Sequence, residues 1–152
     1  MICASGISGF KKGGRVLLCT EYFVCFSPHP ALKDYISNYS IMFPAQGFIS
    51  SGFTSMPCGC ATLYISKDTG GLSVYLDGPV LKPQIALEAL QPEMLISIEF
   101  RPAGLYALTG INQNELSGRT MPFDEISPAL AKSLVDMIEG AQSVKDIVEG
   151  FD

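Results

Sequence analysis

Few side chains in this chain are of a kind that makes or breaks bonds, and they are thinly spread. Cys58-Gly59-Cys60 places two thiols either side of a glycine, and His29, the sole histidine, follows Cys25 by four residues. A structural zinc site takes four ligands, usually as two spaced pairs. Only one tight pair exists here, so no metal is assigned. A Cys–His nucleophilic couple would have to use His29, and nothing else marks Cys25 or Cys19 as activated. The thiols read most simply as buried or redox-indifferent. Glu88 and Glu99 fall on the polar faces of strand-like segments. Two carboxylates facing one cleft could do acid–base work, but the solvated face of a half-buried sheet is the simpler reading. Gly9-Phe10-Lys11-Lys12-Gly13-Gly14-Arg15 lacks the Gly-Lys-Ser/Thr ending with which a phosphate loop engages phosphate and metal. Arg101 reads as an ion-pair partner at a sheet–helix corner. No catalytic residue emerges, and the chain reads as a non-enzyme without a cofactor.

Binding is better served than catalysis. Tyr64 and Tyr75 share strand faces with Thr62 and Ser73, which mixes aromatic rings with hydroxyls, and Phe53 and Met56 add polarizable surface nearby. A mostly apolar surface with a few hydrogen-bonding groups suits a small molecule. Phe53, Met56, Thr62, Tyr64, Ser73 and Tyr75 are therefore the candidate ligand-binding residues. The plainer reading is that the tyrosines rim a sheet.

The elements that must position these residues follow from periodicity. Val16 to Phe26 is rich in β-branched and aromatic residues and predicts one strand or two abutting ones. Pro30 opens a predicted short helix carrying Leu32, Tyr35, Ile36 and Tyr39 at helical spacing. Strands follow in which Ala61, Leu63 and Ile65 alternate with Thr62, Tyr64 and Ser66, and Leu72, Val74 and Leu76 with Ser73, Tyr75 and Asp77. Ile85, Leu87 and Ala89 alternate with Ala86, Glu88 and Leu90, and Ile96, Ile98 and Phe100 with Ser97 and Glu99. Turn residues separate them, as in Asp68-Thr69-Gly70-Gly71 and Gly78-Pro79. Short, regularly punctuated strands predict an antiparallel sandwich or barrel.

At Arg101-Pro102-Ala103-Gly104 the apolar period changes from two to helical, and Pro102 marks the switch. Asn112 with Glu115 resembles a capping box and predicts a short helix before Gly118. Ser127 and Pro128 open a helix with the stripe Leu130, Leu134, Met137 and Ile138, ended by Gly140. Ser143 and Asp146 open another, whose stripe Val144, Ile147, Val148 and Phe151 is still running at Asp152. That pattern predicts a parent protein longer than this chain. Two apolar stripes on a small domain also predict an association surface, with Leu130, Leu134, Met137 and Phe151 as candidate interface residues.

Composition sets the outer bounds. The 152 residues, 47% hydrophobic and 16% charged, describe one folded domain with a substantial core. No apolar run approaches the ~20 residues of a membrane-spanning helix, and the first residues lack a secretion-signal layout. Five cysteines cannot all pair within one chain, which suggests reduced thiols and a cytoplasmic location. A net charge of −5 disfavours direct contact with nucleic acid. The expected layout is a flexible lead over 1–14 and one domain over 15–152, β-rich at 15–101 and helical at 102–152. The expected fold class is α+β: an antiparallel β-barrel or sandwich, with a cupin-like form among the options, and C-terminal helices.

Three segments, in order and spacing, bear a resemblance. Pro28-His29-Pro30-Ala31-Leu32-Lys33-Asp34-Tyr35-Ile36-Ser37-Asn38-Tyr39 is the first, and Met56-Pro57-Cys58-Gly59-Cys60-Ala61-Thr62-Leu63-Tyr64-Ile65 the second. The third is Ile98-Glu99-Phe100-Arg101-Pro102-Ala103-Gly104 with Leu108, Gly110, Glu115-Leu116 and Met121-Pro122-Phe123. Together they resemble the N-terminal regulatory domain of AraC-type bacterial transcription regulators over about residues 21–151. The resemblance implies a cytoplasmic effector-sensing or dimerising half that binds a small-molecule effector and forms a homodimer. It would reach DNA only through a helix-turn-helix domain beyond Asp152. The alternative is a stand-alone cupin-like small-molecule-binding protein or enzyme. Against it, metal-dependent barrels need several imidazoles or carboxylates, and one histidine makes that class hard to build.

Overall fold

The computed structural model of this chain describes residues 2–7, 9–44, 54–55, 57–85 and 92–152. Its body is a seven-stranded sheet formed by β1 (Val16–Cys19), β2 (Phe23–Phe26), β3 (Ile36–Met42), β5 (Thr62–Asp68), β6 (Gly71–Asp77), β8 (Met94–Phe100) and β9 (Thr120–Pro122). Their order is β1-β2-β3-β8-β5-β6-β9, and every neighbouring pair is antiparallel. A separate two-stranded ribbon pairs β4 (Thr54–Ser55) with β7 (Gln84–Ile85). The helices are α1 (Gly104–Thr109), α2 (Phe123–Ile126), α3 (Pro128–Gly140) and α4 (Val144–Phe151). The fold is thus α+β and rich in sheet.

The expected barrel does not form. Strands β1 and β9 end the sheet on opposite sides and do not pair with each other, so the sheet is open. Among the described residues its apolar face is covered by helix. Alternation puts Val24, Tyr39, Ile41, Ile65, Leu76 and Ile96 on that face, all at 0% exposure. Helix α4 lies against it, with Val144, Ile147 and Val148 buried and the Phe151 ring 5.2 Å from that of Tyr39.

Local chemistry explains the helices. Ser143 Oγ accepts from the Asp146 N–H, while the Asp146 carboxylate accepts from the N–H groups of Ser143 and Gln142. This reciprocal cap starts α4 and holds the Asp146 carboxyl below its usual range, chiefly through the Gln142 bond. Asp152 then secures the far end: its carboxylate takes two bonds from Arg15, at 2.5 and 2.9 Å, and one from the His29 backbone N–H. Pro128 supplies the first turn of α3, though the Ser127 side chain makes no capping bond. The segment after Asn112 is a 3-10 turn, Gln113–Leu116, with Asn112 Oδ1 accepting from the Asn114 N–H.

Three expectations are corrected. Pro30 opens only a 3-10 turn, Pro30–Leu32, and the following residues form β3, not a helix. The register slips between Ile36 and Asn38, so Ser37 is an extra residue. The buried positions therefore fall at Ile36, Tyr39 and Ile41, first three apart and then two. The bulge gives a strand the apolar spacing of a helix. The lead also differs from expectation: Ile7 is fully buried, and Phe10 meets Phe26 edge-on at 5.2 Å. Arg101, expected in an ion pair, donates from Nε to the Lys33 carbonyl. The strand β9 had no counterpart in the sequence reading. Of the segment read as a strand from Ile85 to Leu90, residues 86–90 lie outside the described residues.

Candidate functional site

The second face of the sheet is half-buried and polar. Because paired residues share a face, the register lays out rows of side chains across the strands. One row runs Cys25, Ser40, Ser97, Tyr64, Tyr75 from β2 to β6, and the next runs Asn38, Glu99, Thr62, Asp77, Thr120 from β3 to β9. The rows are knit by side-chain contacts. Ser40 Oγ and Ser97 Oγ lie 2.5 Å apart, and the Tyr64 and Tyr75 rings stack at 5.4 Å and 22°. Asn38 Nδ2 donates to Glu99 Oε2 at 3.4 Å, and Thr120 Oγ1 donates to Asp77 Oδ1 at 2.6 Å. The Cys25 thiol points to Asn38 Oδ1 at 3.7 Å.

Burial and fixed carboxylates set the protonation of this face. The Tyr75 phenol is pushed up to about 12, first by burial, then by Asp77 and Tyr64. Tyr64 is also raised, by burial and then by Asp77, Cys58 and Glu99, partly offset by the Thr62 hydroxyl. Burial and then Glu99 raise the Cys25 thiol. Both phenols are therefore neutral at physiological pH and can donate hydrogen bonds while presenting a ring face. The face offers a stacking surface, hydroxyl donors and acceptors, and a carboxylate already engaged by Asn38.

His29 Nδ1 accepts the Ala31 N–H at 3.2 Å at the mouth of the 3-10 turn. Among the described residues no three His, Cys, Asp or Glu side chains are grouped to hold a metal ion.

Of the candidate ligand residues, the structure brings Thr62, Tyr64, Ser73 and Tyr75 onto this one face. Tyr64 faces Tyr75 directly, Thr62 lies across from Asp77, and Ser73 lies across from Ser66 one step along. Phe53 and Met56, and also Glu88, lie outside the described residues. Asn38, Ser40 and Cys25 were missed as members of this face. Asn38 and Ser40 were hidden by the helical spacing around the β3 bulge, whereas Ser97 and Glu99 were visible in the alternation of β8. Of the candidate interface residues, Leu134, Met137 and Phe151 are partly buried against the core, and Leu130 stands 43% exposed. A groove of about 510 Å³ opens where β6 meets α3, lined by Leu72, Val74, Pro122, Ala131 and Val135 among others. No described helix is long and apolar enough to cross a membrane. No protein-family model, no curated protein and no solved structure matches the chain.

Proposed function

We propose that this domain is a small-molecule-sensing regulatory module, the effector-binding or dimerising half of an AraC-type transcription regulator, without DNA-binding activity of its own. The observation that carries the reading is the polar face itself: a stacked tyrosine pair and a bonded serine pair in one row, with Glu99 and Asn38 in the next. Such a surface offers orientation and specificity without reactive groups. A sensor also needs a route from ligand to partner, and β3 supplies one. Ser40 faces the polar side, while its neighbour Tyr39 faces the core, where its hydroxyl donates to the Phe151 carbonyl of α4 at 3.3 Å. A ligand that binds one state of β3 more tightly biases the position of α4, and through it whatever α4 contacts. The net charge of −5 fits a half that leaves phosphate contacts to another domain. The alternative remains a stand-alone cupin-like binding protein or enzyme, and the open sheet and single histidine weigh against its metal-dependent forms.

The test is a thermal-shift screen of small polar compounds (sugars, amines, phenols, carboxylic acids) against the parent and Tyr75→Ala. A ligand at a hundred times its Kd adds about 2.7 kcal/mol of stability, a readily seen shift, and Tyr75→Ala should abolish it. If every shift seen survives Tyr75→Ala and Ser97→Ala, the polar face is not the sensing site.

A further inference from the structure

We propose that Cys58 and Cys60 form a reversible dithiol–disulfide pair that responds to hydroperoxides. This goes beyond the sensing role and does not depend on it. It also departs from the sequence reading of these thiols as inert, because the bend that carries them is held from both sides. Cys58 exchanges two backbone hydrogen bonds with Val80, at 3.0 and 2.8 Å. Two residues past the bend, the Ala61 carbonyl accepts the Phe100 N–H at 3.0 Å. Between them the Gly59 carbonyl accepts from Gln113 Nε2 at 3.3 Å. The two thiols are thereby carried two residues apart on one held bend, and both are partly exposed. Gly59 is exposed, with open space where a Cβ would be, so nothing described packs over the turn between the sulfurs.

The remaining cysteines lack this arrangement. Cys25 is turned to Asn38 and Cys19 to the Thr20 carbonyl. Cys3 is exposed beside Ser5, which lowers its thiol, but no second thiol is placed against it among the described residues.

The chemistry balances with a hydroperoxide as the sole oxidant. One thiol of the pair, taken as Cys58, attacks first. Its sulfur takes the terminal oxygen of ROOH, the O–O bond breaks, and ROH leaves with a sulfenic acid on Cys58. The Cys60 sulfur then displaces that hydroxyl, forming the S–S bond, and the thiol proton leaves with it as water. Two thiols lose two electrons and two protons, and the peroxide becomes an alcohol and water. A ring closed across one residue is strained, so an ordinary dithiol reductant should reopen it.

The test uses the full chain, reduced and then exposed at low protein concentration to tert-butyl hydroperoxide, with remaining thiols alkylated by iodoacetamide. The tryptic peptide Asp34–Lys67 contains Cys58 and Cys60 and no other cysteine. Its two alkylation sites should disappear together, with a mass 2 Da below the dithiol form once methionine oxidation is counted. They should be lost about tenfold faster than the site on Cys25, because the partner thiol is already in place. Dithiothreitol should restore both sites. Cys58→Ser and Cys60→Ser should each prevent the 2 Da loss, with circular dichroism confirming that the variants fold. Two outcomes overturn the proposal: the peptide keeps both alkylation sites while Cys25 is oxidised, or Cys58 and Cys60 go to sulfinic acid without passing through a disulfide.

Discussion

Replacing Gly104 with alanine tests how the sheet passes the chain to its helices. At the end of β8 the Arg101 N–H donates to the Tyr35 carbonyl, and the Gly104 N–H donates to the Arg101 carbonyl, both at 2.8 Å. The backbone therefore doubles back against the start of β3. A Cβ on Gly104 would fall 2.0 Å from the Tyr35 carbonyl oxygen and 2.8 Å from its carbon, where ordinary contact begins at 3.4 Å. That oxygen belongs to the backbone and is held by Arg101, so it cannot swing aside as a side chain would. Relieving the clash means moving one segment by roughly 1.4 Å. Overpacking of this kind costs about 1–3 kcal/mol, and losing the Arg101–Tyr35 bond adds about 1 kcal/mol. At about 2–4 °C per kcal/mol for a domain of this size, the total of about 2–4 kcal/mol should lower the melting temperature by about 4–16 °C. The preceding residue should behave oppositely. Ala103 sits at φ 63°, a left-handed conformation that costs an L-residue about 1–2 kcal/mol. Glycine there recovers most of that and loses about 0.5–1 kcal/mol to its freedom when unfolded. Ala103→Gly should therefore raise the midpoint slightly. Thermal melts followed by circular dichroism decide the matter. If Gly104→Ala melts within about 1 °C of the parent, or Ala103→Gly is the more damaging change, this account of the corner is wrong.

Alkaline titration should show two late phenols. Tyr39 and Tyr75 are both raised from 10.0 to about 12, so the folded chain holds protons that the unfolded chain releases, and stability should be full below pH 10 and fall as pH rises towards 12. Urea midpoints that stay flat across that range would contradict it. The Ser40–Ser97 pair should show a coupling of about 1 kcal/mol in a double-mutant cycle to alanine, and additive single changes would mean the contact is worth nothing. Phe151→Ala should cost about 2–3 kcal/mol through lost packing on Tyr39, whereas Leu130→Asp should stay within about 0.5 kcal/mol. Light scattering on Leu130→Asp asks whether this exposed residue serves self-association: a smaller mass than the parent's would place it in an interface. Mobility-shift assays with residues 1–152 should show no tight, sequence-dependent complex, and finding one would sink the regulatory-half proposal.

The sequence was most legible where one local signal stood uncontested. Strict alternation in β5, β6 and β8 located three strands and the side of each that faces Tyr64 and Tyr75. The reciprocal Ser143–Asp146 cap located α4. Failures came where long-range packing set the local pattern. The extra Ser37 shifts the phase of β3, so its apolar spacing imitates a helix and conceals Asn38 and Ser40. The burial of Ile7 and Phe10 depends on β2 and the helices far along the chain, so a glycine-rich stretch passed for a loose lead. Sheet closure is likewise a matter of which edges meet, and alternation alone does not encode it. Glu99, legible in the alternation of β8, takes its place on the polar face, where its carboxylate accepts a hydrogen bond from Asn38.

The place of β8 between β3 and β5 constrains the order in which the molecule can be assembled. The hairpin of β5 and β6 closes over the two residues Thr69 and Gly70 and can form within about 1–10 μs. The pairing of β3 with β8, by contrast, joins residues 61 apart, as at Asn38 and Glu99, and closing such a loop costs roughly 3–4 kcal/mol before any contact repays it. During synthesis β3 and β5 emerge well before the strand that separates them. Until Met94–Phe100 leaves the ribosome, each presents an unsatisfied hydrogen-bonding edge and an apolar flank. The cell therefore meets this protein first as two open-edged halves, and the segment from Met94 onward joins them: β8 as the central strand, then α4 as the cover over their shared apolar face.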